Sequence, residues 1–233
     1  MKRISFIHRL LDLISPRICA VCGRRLAVTE DIVCASCNLH LPRTGFSVDA
    51  YDNEMARLFW VLLPIERAAA LIYNQPHSQA AAMIYDMKYH NQPETAELMG
   101  SMMADEMMGD GFFDGIDLLI PVPLTRKRER QRGYNQSYEM AKGISEKTGI
   151  PIASDVVQRV SFTESQTHKN RYERQENVKG SFRLTNGTRI SGKHVMLVDD
   201  VVTTGATIIA CGQELVKAGN VKISVVCLGF SKE

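Results

Sequence analysis

The sequence predicts an α/β fold: a mostly parallel sheet flanked by helices, preceded by a small N-terminal zinc-binding finger. Three observations carry this expectation. Segments of strand and helix character alternate from Arg67 to the end of the chain, the pattern of a mostly parallel sheet. The apolar run Val195–Val198 leads into two aspartates, Asp199 and Asp200, and then a threonine- and glycine-rich loop. Such a run reads as a buried strand, with its carboxyl end where open α/β sheets place their ligands. Four cysteines stand in two Cys-x2-Cys pairs near the N-terminus.

The chain of 233 residues is long enough for one good-sized domain plus a small module. Its 45% hydrophobic and 23% charged content is that of an ordinary globular protein. With a net charge of +2 there is no global field to draw it onto nucleic acid. No span reads as a transmembrane helix. The opening MKRISFIHRLLDLISPR has its apolar positions broken by His8, Arg9 and Asp12, so it does not read as a secretory signal, and cytoplasmic residence is the expectation. Ile4, Ile7, Leu10, Leu11 and Ile14 recur at helical spacing, which predicts an amphipathic helix that docks on the protein's own body or on a partner; its polar face is only weakly basic, which disfavours a membrane anchor.

Cys19 and Cys22 are followed, after eleven residues, by Cys34 and Cys37. In a reducing compartment this spacing is that of a structural zinc site, and four thiolates leave no coordination position open for catalysis. A thioredoxin-type pair needs only one Cys-x2-Cys and a βαβ context. Gly23 suits a tight knuckle, and metal binding supplies most of the folding energy of so short a segment. The helix and finger together make an expected first unit, residues 1–45, and residues 46–233 make the second.

Residues 41–66 read as irregular. RAAALIY is a strand, residues 77–90 and about 94–108 are helices, and the methionines of the second are core filling. DLLIPVP is a short buried strand, and SYEMAKGISEKTG is a helix that ends at Gly149. DVVQRV and SFRLT are candidate strands, and KHVMLV and KISVVCLGF close the sheet. Cys211 and Cys227 fall on core positions.

The chemistry concentrates at three places. Two vicinal carboxylates, Asp199 and Asp200, precede Thr203-Thr204-Gly205-Ala206-Thr207 at the start of a helix, where backbone N–H groups make an anion cradle. A sugar fits both halves, with its hydroxyls on the carboxylates and its 5′-phosphate in the loop; an ordinary strand–turn–helix with a solvated acidic turn is the plainer alternative. After the strand LLIPVP comes a basic loop with Arg126, Lys127, Arg128, Arg130 and Arg132 around one acid, Glu129. Its charge fits pyrophosphate oxygens and a solvated turn equally well. Lys88 either approaches a phosphate or complements its own helix dipole.

The segment VMLVDDVVTTGAT resembles the phosphoribosyl pyrophosphate (PRPP) loop of type I phosphoribosyltransferases at every position. The resemblance implies that Asp199 and Asp200 hold the ribose hydroxyls and that Thr203 to Thr207 hold the 5′-phosphate. Gly133-Tyr134-Asn135-Gln136-Ser137, after PVPL and the basic run, resembles the RGFNQ signature of the competence protein F (ComF) family, with tyrosine in place of the more usual phenylalanine. Members of that family combine a four-cysteine finger with a type I phosphoribosyltransferase-like domain. Lys88-Tyr89 resembles the family's Lys-Tyr pair. Arg159, Thr163, Gln166, Arg174, Asn177 and Val178 resemble its polar segment before the Gly-Ser-Phe strand, where type I enzymes carry a mobile lid. The resemblance therefore implies a pyrophosphate site on Arg126, Arg128, Arg132, Gly133, Asn135 and Gln136, with Gln166 and Arg174 as lid residues.

It further implies Mg²⁺ bound together with PRPP, and transfer of the phosphoribosyl group to an acceptor that the sequence does not identify. No base-recognition hood and no general base stand out. A PRPP-binding regulator without turnover is the alternative. An adaptor in DNA uptake is another, contacting single-stranded DNA and a competence helicase through the finger and the Arg126–Arg132 run, with Tyr134, Tyr138 and Tyr172 as stacking aromatics.

Overall fold

The computed structural model describes residues 16–76, 78–89, 92–160 and 180–231, with Tyr89 by its backbone alone. The predicted amphipathic helix and the polar segment containing Thr163, Gln166, Tyr172, Arg174, Asn177 and Val178 lie outside the described residues.

The described residues form six strands: β1 Arg67–Tyr73, β2 Leu118–Pro121, β3 Val157–Arg159, β4 Phe182–Leu184, β5 His194–Val202 and β6 Lys222–Phe230. Four of them form one sheet in the order β1-β6-β5-β2, parallel throughout. Its strands are apolar because both faces are covered: Val195 to Val198 are wholly buried, as are Val225, Val226, Cys227 and Leu228. Cys211 is buried with them in a helix, as the sequence predicts. The candidate strands DVVQRV and SFRLT are strands, but they pair with each other as an antiparallel hairpin, β3–β4, outside the main sheet.

The helices are α1 Ala35–His40, α2 Glu54–Arg57, α3 Gln79–Tyr89, α4 Pro93–Met107, α5 Arg126–Arg132, α6 Gln136–Thr148 and α7 Ala206–Val216. Two of them correct the sequence reading. The stretch 41–66 contains α2, started by the Asn53 side chain, which accepts from the backbone N–H groups of Met55 and Ala56. The run Arg126–Arg132, expected as a loop, is α5: Thr125 Oγ1 accepts from Arg128 N at 3.3 Å, and Gly133 ends the helix at φ 82°, a left-handed cap that glycine adopts without strain. As predicted, α6 ends at Gly149.

α4 and α6 pack closely on each other, and α6 packs on β5 and β2. α7 packs on β5 and on the β3–β4 hairpin, with Phe59 and Leu63 seated against Gly205 and Gly212. On the other side of the finger, residues 42–53 run along β1. Tyr73 N donates to Pro42 O at 2.7 Å, Thr44 N to Leu71 O at 3.1 Å and Ala68 N to Ala50 O at 2.7 Å. At the far edge, Pro151 and Ala153 exchange hydrogen bonds with Leu119 of β2. Among the described residues no helix is long and apolar enough to cross a membrane.

Candidate functional site

β5 carries Asp199 and Asp200 at its carboxyl end, and the chain turns through Thr203 and Thr204 into Gly205, the N-cap of α7. Gly205 has φ 74°, and a Cβ there would lie 2.8 Å from Phe59 Cε1; both conformation and space call for glycine. The N-cap glycine has no side chain to cap α7; Ala206 N donates to Thr204 Oγ1 at a long 3.5 Å, and the N–H groups of the first turn face the threonines, the geometry that favours an anion.

The two aspartates are tied to different elements. Asp199 Oδ1 accepts from Ser137 Oγ of α6 at 3.1 Å and from Asp200 N at 2.9 Å. Asp200 pairs with Lys88 Nζ, from the end of α3, at 3.1 Å. Burial, reinforced by the charge of Asp200, pushes the Asp199 carboxyl up to about 7; adjacent carboxylates that are poorly hydrated do not both ionise easily. Lys88 thus offsets a carboxylate of the pair, a contact that neither reading of its sequence included.

The Gly-Tyr-Asn-Gln-Ser segment is the bracket that assembles this cluster. Gly133 closes α5. The Tyr134 hydroxyl donates to the backbone carbonyls of Met87 and Gln92, fixing the chain next to Lys88. Asn135 caps α6 by accepting from Ser137 N at 3.1 Å, while its Nδ2 donates to Val122 O after β2 at 3.1 Å. Gln136 Oε1 accepts from Arg132 Nη1 at 2.7 Å. Tyr134 is buried and is not a stacking platform; Tyr138 is exposed.

Arg126, Arg128 and Arg130 project from α5 into solvent. A cavity of about 480 Å³ is lined by Arg126, Glu129, Arg130 and Gly133 and includes neither aspartate. The structure therefore joins Lys88, Ser137, Asp199 and Asp200 into one cluster beside the Thr203–Thr207 turn, and leaves Arg126 on a separate surface. Gln166 and Arg174 lie outside the described residues. Ser137 was not among the expected site residues; its only sequence signal is its place two residues past the cap of the following helix.

The four Sγ atoms of Cys19, Cys22, Cys34 and Cys37 lie within 4.8 Å of one another. Cys22 and Cys34 are 3.8 Å apart, close to the ~3.8 Å edge of a tetrahedron with Zn–S bonds of ~2.3 Å. The local chain is built for the purpose. Gly23 turns at φ 69°. Cys34 N points at Cys19 Sγ at 3.3 Å, and Cys37 N at Cys34 Sγ at 3.5 Å. Glu30 braces the loop by accepting from Ala27 N and Ala35 N, both at 2.7 Å. Hydrogen bonds from the Arg24 backbone and side chain lower the Cys22 thiol to about 6, whereas burial pushes Cys37 up. The donor set fits a tetrahedral thiolate metal.

Comparison with known proteins places this geometry. Residues 132–232 match the phosphoribosyl transferase domain model. The DNA utilization protein YhgH of Salmonella typhi is 27% identical over 224 residues, covering 91% of this chain and 96% of its own length. Competence protein ComFC of Bacillus subtilis is 25% identical over 211 residues, 90% of this chain and 75% of its own. Competence protein F of Haemophilus influenzae is 36% identical over 110 residues, 47% of this chain and 48% of its own. The chain is thus similar over most of its length to proteins named for competence and DNA utilization. The parallel sheet with its flanking helices has the type I phosphoribosyltransferase fold, with the cysteine cluster ahead of the matched domain.

Proposed function

We propose that this protein binds PRPP together with Mg²⁺ and transfers the phosphoribosyl group to an acceptor, releasing pyrophosphate. One observation carries the reading: a carboxylate pair at the end of β5 runs directly into an open, glycine-started helix N-terminus. Asp199 and Asp200 orient the ribose hydroxyls, and the Thr203–Thr207 turn binds the 5′-phosphate through backbone N–H groups and hydroxyls. Lys88 leaves Asp200 when the sugar arrives. The bond from C1′ to the pyrophosphate oxygen breaks with its electron pair on pyrophosphate, and the acceptor's nucleophile forms the new bond to C1′. Positioning and electrostatic stabilisation carry most of such a rate enhancement. Mg²⁺ bound together with PRPP would supply charge neutralisation of the pyrophosphate, and arginines of α5 would offset the charge that departs.

The finger holds structural zinc on Cys19, Cys22, Cys34 and Cys37, and its unit extends over residues 1–45. The names of the relatives, DNA utilization and competence proteins, support a role in handling DNA, with the exposed arginines of α5 as the polyanion-binding face.

Calorimetric titration with PRPP and Mg²⁺, on protein of measured zinc content, tests the reading. Wild type is expected to bind, and Asp199→Asn with Asp200→Asn to abolish binding while the fold persists. Unchanged binding in the double variant refutes the site. Pyrophosphate release with a panel of nucleobases and amines then separates turnover from regulation.

A further inference from the structure

Residues 134–137 hold both members of the carboxylate pair. Ser137 Oγ donates directly to Asp199 Oδ1 at 3.1 Å. Asp200 is reached through the end of α3. The buried Tyr134 hydroxyl donates to Met87 O and lies 3.2 Å from Gln92 O. Met87 directly precedes Lys88, whose Nζ is 3.1 Å from Asp200 Oδ1.

Met87 O belongs to the last four carbonyls of α3, which helix geometry leaves without an intrahelical donor, and Gln92 stands just before α4. One hydroxyl therefore ties the stop of α3 and the start of α4 to the head of α6. The body of α3 needs no such tie. Met83, Ile84 and Met87 are buried, and Ile84 Cδ1 sits against Gly229 of β6. The last turn differs, because Lys88 crosses from its own helix to β5, where both side chains of the pair are half-buried. Holding a long lysine side chain costs rotamer freedom, so the pair persists only where the backbone beneath Lys88 is fixed. Tyr134 supplies that fixing.

We infer that Tyr134 is a positioning residue for the ligand site: its hydroxyl keeps Lys88 latched on Asp200, and the strength of that latch sets how tightly ribose hydroxyls bind. The inference deepens the PRPP reading and rests on it for the ligand's identity. The Lys88 ammonium and the sugar hydroxyls compete for one carboxylate. A looser end of α3 therefore admits the sugar more easily.

The test uses the full, zinc-loaded chain carrying isotope-labelled lysine, with ribose 5-phosphate and PRPP with Mg²⁺ as separate probes. Tyr134→Phe keeps the ring and removes only the hydroxyl; one lost hydrogen bond is well within the stability of a domain, so it folds. In magnetic resonance spectra Lys88→Met identifies the Lys88 ammonium signal, and Asp200→Asn shows that signal released. Without ligand, the Lys88 signal of Tyr134→Phe is expected to move towards its position in Asp200→Asn. Ribose 5-phosphate should bind Tyr134→Phe about fivefold more tightly than wild type, the worth of one hydrogen bond. Made on top of Lys88→Met, the same substitution should change affinity by less than about twofold, because the hydroxyl acts through the lysine. An unmoved Lys88 signal overturns the latch even if PRPP binds, and leaves the PRPP reading standing. Weaker binding in Tyr134→Phe also overturns it, as does an equal change with and without Lys88, which makes Tyr134 a prop of the fold. A moved Lys88 signal in a protein that binds neither probe keeps the latch and removes the PRPP reading.

Discussion

Asp199 is the residue where folding and ligand binding pull apart. Its folded carboxyl titrates near 7 against an ordinary value of 3.8. Between those values the folded chain holds a proton that the unfolded chain releases, so stability from this group is greatest below 3.8 and is lost as pH rises through 7. Asp199→Asn is therefore expected to stabilise the ligand-free protein at pH 8 by about 2 kcal/mol, roughly 4–8 °C in unfolding midpoint, with the gain shrinking towards pH 5. Thermal melts across that range check it, and a lower midpoint at pH 8 contradicts it. Lys88 shows the same conflict in milder form: its ion pair with Asp200 steadies the carboxylate pair and would have to open for the proposed sugar ligand.

At the scale of elements, the close contact of α4 with α6 sets the position of Ser137 and so of Asp199. A Cβ on Gly143 would lie 1.9 Å from Glu97 O, and one on Gly100 2.0 Å from Met140 O, so the two backbones touch. Lys142 ties them with contacts of 2.8 Å to Glu97 and to Glu139. Gly143→Ala should cost about 3 kcal/mol through overpacking, despite the better helix propensity of alanine; urea midpoints measure this, and a stable variant would mean that the helices part freely. The sequence made the elements readable where local pattern decides them. Val195–Val198 with its aspartates, the α6 stop at Gly149 and the cysteine spacing all needed no tertiary information. The helix α5 was misread because seven largely charged residues show no apolar period, although its cap Thr125 and its stop Gly133 were both visible signals. The meeting of Lys88, Ser137 and Asp200 was not readable, since residues far apart in the chain are brought together only by packing.

For the molecule as a whole, the chain leaving the finger is tied to the edge of β1 within a few residues of Cys37, through Pro42 and Thr44. Cys34→Ser, or stripping the metal with a chelator, is expected to release that segment, lower the unfolding midpoint and cause aggregation, since unpaired strand edges self-associate. Metal analysis with light scattering reads this directly; a soluble Cys34→Ser protein with full zinc content contradicts it.

The segment 42–53 along β1, and Pro151 and Ala153 along β2, have a consequence for recognition. Both borders of the sheet already have neighbours that take up main-chain groups of β1 and β2, so another protein has no ladder there on which to lay an extra strand. At these two borders, contact with another molecule therefore falls to side chains; elsewhere the stacked Tyr51 and Trp60 and the arginines of α5 are exposed. Point substitutions on those surfaces, rather than competing strand peptides, are the instrument for testing contact there.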